Sequence, residues 1–244
     1  MSASAPGDGA LLVLSDVSKR FGGLRAVSDL HLTVRRGELR CLIGPNGAGK
    51  STVFKLIMGF EHPTTGTVTF DSADIRRWPT WRRARHGLSI KMQIPGIYPE
   101  LTVHDNMRVA GQYHVTSGQM EESIERLLAR VGLAGMSADL AKNLSHGQQQ
   151  WLEIGMALSV NPKLLLLDEP TAGMGPGETE ATARLIESLN ADGVTIMVIE
   201  HDMTFVRQIA RTVTVMILGR IFAEGTITEI EANQGVTDIY LGRV

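Results

Sequence analysis

With a single cysteine, Cys41, the chain cannot close an internal disulfide, and nothing in it calls for an oxidising compartment. Charge of either sign is not in excess. A formal net charge of -2 gives no general attraction to nucleic acid, whose non-specific affinity comes from Lys and Arg meeting phosphates, so no nucleic-acid partner is expected. Long apolar runs are also missing. None approaches the ~18 residues that cross a bilayer, and the opening MSASAPGDGA has neither the basic nor the apolar region of a secretory signal. If the protein works at a membrane, other chains cross it. The seven histidines show no HExxH or Cys–His spacing, which leaves no structural metal site to be read. Internal repeats are absent, and low complexity is confined to residues 1–10, which are expected to be disordered.

What the chain does contain is enough apolar sequence, 43% of 244 residues, to bury a substantial core. Short apolar runs alternate with helical patterns, which predicts an α/β fold. Strands are expected at 11–17, 30–34, 39–44, 67–70, 164–168, 194–200 and 213–218. The later runs are apolar throughout, as in parallel strands buried on both faces. LHLTV alternates instead: Leu30, Leu32 and Val34 share one face and His31 and Thr33 the other, which suits an antiparallel sheet. Residues 100–160 hold helical patterns only. One domain over 11–244 is expected, with a core of 11–93 and 161–244 and a helical subdomain of 94–160 inserted into it.

The strongest signal is GPNGAGKS, Gly44, Pro45, Asn46, Gly47, Ala48, Gly49, Lys50 and Ser51, between the apolar run LRCLI and the helical run that continues through Thr52. Glycines let the backbone curl so that successive N–H groups point at phosphate oxygens. Lys50 adds a mobile positive charge, and Ser51 offers a hydroxyl to Mg²⁺. A strand before and a helix after are the context such a phosphate loop requires.

LLLLDEP at 164–170 places Asp168 at the C-terminal end of a buried strand, where open α/β sheets bind ligands and where it would hold the Mg²⁺ shell. Glu169 follows. In an extended strand end its side chain would point to the opposite side, toward an attacking water, which makes it the candidate general base.

Together these stretches resemble the ATP-binding cassette ATPases from Leu12 to Gly242. Gln93 in LSIKMQIPG matches the family's glutamine loop, LSHGQ at 144–148 stands at its signature, and His201 in VIEHDM matches its switch histidine. Phe21 falls where the family stacks an aromatic on adenine. The resemblance implies a P-loop NTPase, RecA-like core with an antiparallel β subdomain and an α-helical insert. It implies ATP and Mg²⁺ as cofactors, with Ser51, Gln93 and Asp168 around the metal and Glu169 and His201 catalytic. It also implies that Ser145, His146, Gly147 and Gln148 meet the ATP held by a second ATPase subunit, same or different, in a head-to-tail dimer.

LSHGQQQWLEIGM, FGGLRAV and the tail IYLG further resemble the import ATPases for branched-chain amino acids and urea, with His146 and Trp151 nearest the urea type. That implies transmembrane permease subunits as partners, docking near Ile94 to Tyr98, an indirect substrate-binding protein, and a peripheral place on the cytoplasmic side of the membrane. TAGMGPGE departs from the family by lacking an Asp or Asn near Gly175. The alternatives are a non-transport cassette that clamps another macromolecule, and a phosphotransferase built on the same loop. RRWPTWRRARHG at 76–87 is expected to be a solvated helix or a face near lipid headgroups.

Overall fold

The computed structural model describes residues 9–93 and 96–240. Strand β1 (Ala10–Phe21) pairs antiparallel with β2 (Leu24–Arg35), and after β3 (Leu39–Ile43) and helix α1 (Lys50–Met58) come β4 (Thr65–Phe70), β5 (Ala73–Asp74), α2 (Thr80–Arg85) and β6 (Leu88–Lys91). A helical stretch follows, α3 (Val103–Gly111), α4 (Met120–Arg130) and α5 (His146–Leu158). The chain then returns through β7 (Leu164–Asp168), α6 (Pro176–Ala191), β8 (Thr195–Ile199), α7 (Met203–Ile209), β9 (Thr212–Ile217) and β10 (Arg220–Gly225), and closes with α8 (Ile227–Ala232) and α9 (Gln234–Tyr240). β1 begins inside the stretch expected to lack structure, because Arg36 N–H donates to the Gly9 carbonyl and extends the hairpin; residues 1–8 lie outside the described residues.

Two sheets result. An antiparallel sheet has the order β2-β1-β4-β5, and a six-stranded sheet has the order β10-β9-β3-β8-β7-β6, parallel except for β10. The apolar strands are two-sided because both faces of this second sheet are covered. Leu39, Cys41, Ile43, Leu165, Leu167, Ile196 and Val198 pack into one core with α3 to α7, while Leu42, Leu164, Leu166, Met197 and Ile199 pack with α1 and the antiparallel sheet. In β2, Leu30, Leu32 and Val34 are buried and His31 and Thr33 exposed, as their alternation predicts. The sequence pattern did not reveal β6 or β10. β6 is only four residues long and carries buried Ser89 and Lys91; β10 alternates exposed and half-buried residues.

The Arg/Trp-rich segment is not simply a solvated face. Arg83 is fully buried, and its guanidinium donates to the carbonyls of Leu56 (2.7 Å), Ile57 (2.8 Å) and Trp78 (3.0 Å). It thereby caps the C-terminal end of α1, where carbonyls lack intrahelical donors and the helix dipole favours a cation. Burial lowers its pKa to about 10. Arg83→Ala would leave these carbonyls unpaired and should cost on the order of 3 kcal/mol, measured by urea unfolding. Because Arg83 lies at the opposite end of α1 from the phosphate loop, ATP affinity of the folded variant should be unchanged.

Candidate active site

Two close approaches shape the loop between β3 and α1. Gly44 has φ 145° and a Cβ there would lie 2.1 Å from the Met216 carbonyl oxygen of β9; Gly49 has φ 100° and its Cβ would lie 2.4 Å from the Ala26 carbonyl oxygen of β2. Only glycine fits either position, so the loop is wedged between the two sheets. Lys50 opens α1 almost fully buried, and its Nζ donates back to the carbonyls of Gly44 (2.7 Å) and Pro45 (3.0 Å). Burial lowers the Lys50 pKa, opposed by the neighbouring carboxylates of Glu169 and Asp168. The first turn of α1 adds N–H groups that have no intrahelical acceptor.

A pocket of about 610 Å³ lies over this loop and is lined by Asn46 through Thr52. Phe21, at the end of β1 and 42% exposed, forms part of its wall, with Lys19 Nζ 4.7 Å from the ring centroid. Gln93, Glu169 and His201 also line it. These three follow β6, β7 and β8, which are neighbours in the sheet, so the parallel order brings their C-terminal ends together. Gln93 Nε2 donates to Glu169 Oε2 at 2.8 Å, and His201 Nε2 pairs with Glu169 Oε1.

The route by which Glu169 reaches that position differs from the sequence expectation. β7 ends at Asp168, and Glu169 has φ 49°, in the left-handed region, so a backbone turn and not strand alternation aims its carboxylate. Asp168 is buried, and its Oδ1 has no hydrogen-bond partner among the described residues. Burial and the adjacent Glu169 raise its pKa, while Lys91, the Ser51 hydroxyl and Lys50 pull it down. A buried anionic oxygen without a donor, beside a hydroxyl, is the donor set a hard cation takes. Gln93, expected in that set, binds the Glu169 carboxylate instead.

The signature stretch lies elsewhere. Ser145 caps α5: its Oγ accepts from Gln148 N–H (3.2 Å), and Gln148 Oε1 accepts from Ser145 N–H (2.9 Å). Ser145 Oγ also donates to Glu178 Oε1 (3.0 Å), and His146 Nε2 pairs with the Ala172 carbonyl (2.9 Å), so the loop is fastened to the segment after Glu169. Trp151 pins α5 to α6 through Thr182 (2.8 Å), and Gly175 is the N-cap of α6, its N–H held by Glu178 (3.2 Å). None of Ser145, His146, Gly147 or Gln148 lines the pocket.

Two contributors went unnoticed in the sequence. Glu200 at the end of β8 is buried and accepts from Thr171 Oγ1 (2.6 Å) and His201 N–H (3.0 Å), binding the two loops that carry Glu169 and His201. Its signal was available, since VIEH places an acid at a buried strand end as LLLLD does. Lys91, at the end of β6, had no such signal.

A phosphate loop between buried strand and helix, an acid at the end of β7 with a second in the turn after it, and Gln and His beyond the ends of the neighbouring β6 and β8 together define a nucleotide-binding cassette. The ABC transporter family profile matches residues 27–172, and the chain belongs to that family. It is 37% identical over 249 aligned positions to the high-affinity branched-chain amino acid transport ATP-binding protein LivG of Salmonella typhimurium, spanning 95% of this chain and 98% of that protein. It is 33% identical over 235 positions to the lipopolysaccharide export system ATP-binding protein LptB of Escherichia coli, spanning 96% and 98%. A solved ATP-binding cassette of an ABC transporter in its ADP conformation superposes with a TM-score of 0.86 at 30% identity, covering 96% of this chain and 99% of that one. The chain is an ATP-hydrolysing subunit of a transporter.

Proposed function

We propose that this chain powers an importer of the branched-chain amino acid and urea group as half of a head-to-tail ATPase dimer. The observation that carries the dimer is the separation of the two anion-gripping structures: the phosphate loop lines the pocket, and the capped N-terminus of α5 does not. One chain offers each ATP a loop and no signature, so a second chain supplies it.

Within the site, ATP stacks on Phe21 and its phosphates lie along Gly44 to Thr52, with Lys50 leaving the Gly44 and Pro45 carbonyls for phosphate oxygens. Ser51 and Asp168 are the residues fitted to hold Mg²⁺, whose role is to neutralise charge on the phosphates. Glu169 takes the proton of the attacking water, while Gln93 and His201 fix its carboxylate and reach toward the terminal phosphate. Lys50→Ala should weaken ATP binding by at least roughly 10-fold, since it removes the buried charge facing the phosphates; equilibrium titration with a fluorescent ATP analogue reads this, and unchanged affinity counts against the loop assignment.

No helix among the described residues is long and apolar enough to cross a membrane. In the importer reading the chain sits peripherally, on the cytoplasmic face, held by permease subunits. A groove of about 340 Å³ walled by Met92, Gly96, Ala110, Met156 and Ala157 is our docking site for a permease helix. Of the expected docking stretch, Ile94 and Pro95 lie outside the described residues. Import is favoured over export by the LSHGQQQW stretch and by the 37% likeness to LivG. Co-expression with the permease subunits and substrate-binding protein, followed by uptake of labelled urea and leucine into vesicles, tests the solute. ATP-dependent uptake of neither would remove the importer reading while leaving the ATPase intact.

A further inference from the structure

Lys91 is 2% exposed, and a buried ammonium needs acceptors. Two backbone carbonyls serve: Nζ donates to Asp168 O and Glu169 O, each at 3.3 Å. These carbonyls flank the turn that departs from strand geometry. Glu169 has φ 49°, which costs a residue with a Cβ about 1 kcal/mol, and it precedes Pro170, which has no N–H to offer and restricts the residue before it. Something must hold the turn. Its N–H side is tied to Ile199 O at 3.0 Å, and its carbonyl side is tied by Ala172 N–H at 3.3 Å and by Lys91.

The surroundings explain why a cation stands here. Burial disfavours the Lys91 charge, and the carboxylates of Glu153 on α5, Asp168, Glu200 and Glu169 favour it; Glu153 Oε1 also accepts the Gly96 N–H. Lys91 and Glu153 both line the groove assigned above to docking, so one side chain separates that groove from the catalytic turn. We propose that Lys91 is a positioning residue for ATP hydrolysis, which holds the Asp168–Glu169 carbonyls and so keeps the Glu169 carboxylate on Gln93 and His201. The proposal rests on Glu169 being the general base. Lys91 itself does not line the ATP pocket.

Lys91→Met keeps the apolar stem as far as the ε position and removes the donor. A small displacement of a reacting group costs roughly 10- to 100-fold in rate, so kcat should fall by that factor while KM and the dissociation constant for ATP stay within about twofold. The full chain is assayed in whichever assembly hydrolyses ATP, alone or with its membrane subunits, beside Glu169→Gln. If kcat of Lys91→Met stays within twofold of the parent while Glu169→Gln is inactive, Lys91 has no positioning role and the base assignment survives. If Glu169→Gln turns over normally, the base reading falls and takes this proposal with it. Loss of ATP affinity together with kcat in a folded Lys91→Met chain also overturns the proposal, since it would show damage to the whole site. Should the methionine variant fail to fold, Lys91→Gln, with a donor one atom shorter, is read the same way: several-fold lower kcat at unchanged KM supports the role, and unchanged kcat overturns it.

Discussion

Glu169→Gln should lower ATP hydrolysis at least roughly 100-fold while ATP still binds within a few-fold of the parent affinity. The substitution removes the base and little else. Gln93 and His201 contact the side chain, and the amide keeps an oxygen for one of them; the phosphate loop, Lys50 and Phe21 make no contact that depends on the lost charge being there for folding. The backbone bond from Glu169 N–H to Ile199 and the Lys91 contacts to the turn are untouched, so the left-handed conformation persists in the variant. Release of inorganic phosphate, measured without any acceptor, gives the rate, and equilibrium nucleotide titration gives the binding. Turnover near that of the parent would take Glu169 out of its role. Phosphate appearing on an added acceptor instead of in solution would point to a phosphotransferase.

Mixing two inactive variants should restore activity if the signature acts in trans. Lys50→Ala disables a chain's own phosphate loop, and Ser145→Arg blocks the surface it offers to a partner. In a mixed dimer one ATP site combines an intact loop with an intact signature, and the other carries both lesions. Activity then returns at up to about half the parental rate per mixed dimer, provided that one site turns over independently. The Ser145 substitution is mild for the fold, since the lost cap of α5 costs about 1 kcal/mol and the residue is exposed. A mixture that stays inactive, with mixed dimers shown by native mass spectrometry and single-site turnover shown independently, would reject the trans role. The same mixture is repeated with the membrane subunits and any second ATPase chain present, because the partner signature can come from a different subunit.

GPNGAGKS, LLLLDE and the apolar runs of β3, β7 and β8 were legible in the sequence because they depend on local chemistry: glycine where the backbone must approach, acids at strand ends, and apolar residues on both faces of a covered strand. The alternation of apolar runs with helical patterns gave the α/β architecture, and the family motifs singled out Phe21, Gln93 and His201. What the linear pattern could not supply were contacts that depend on which strand ends lie side by side. The order β8-β7-β6 places His201 and Gln93 on the Glu169 carboxylate, and no spacing in the chain encodes that order. Arg83 reads as one of several surface arginines until α1 is found to end against it. Lys91 gives no signal in the sequence, yet it is buried across from a turn 77 residues away. Glu169 was identified for its chemistry and misplaced in its geometry, because a positive φ before proline is stabilised by bonds from β8 and β6 and not by its neighbours. Local covalent chemistry thus determined the phosphate loop and the identity of the acids; the burial of charges between distant segments, where dehydrated groups must find partners, decided how they are aimed.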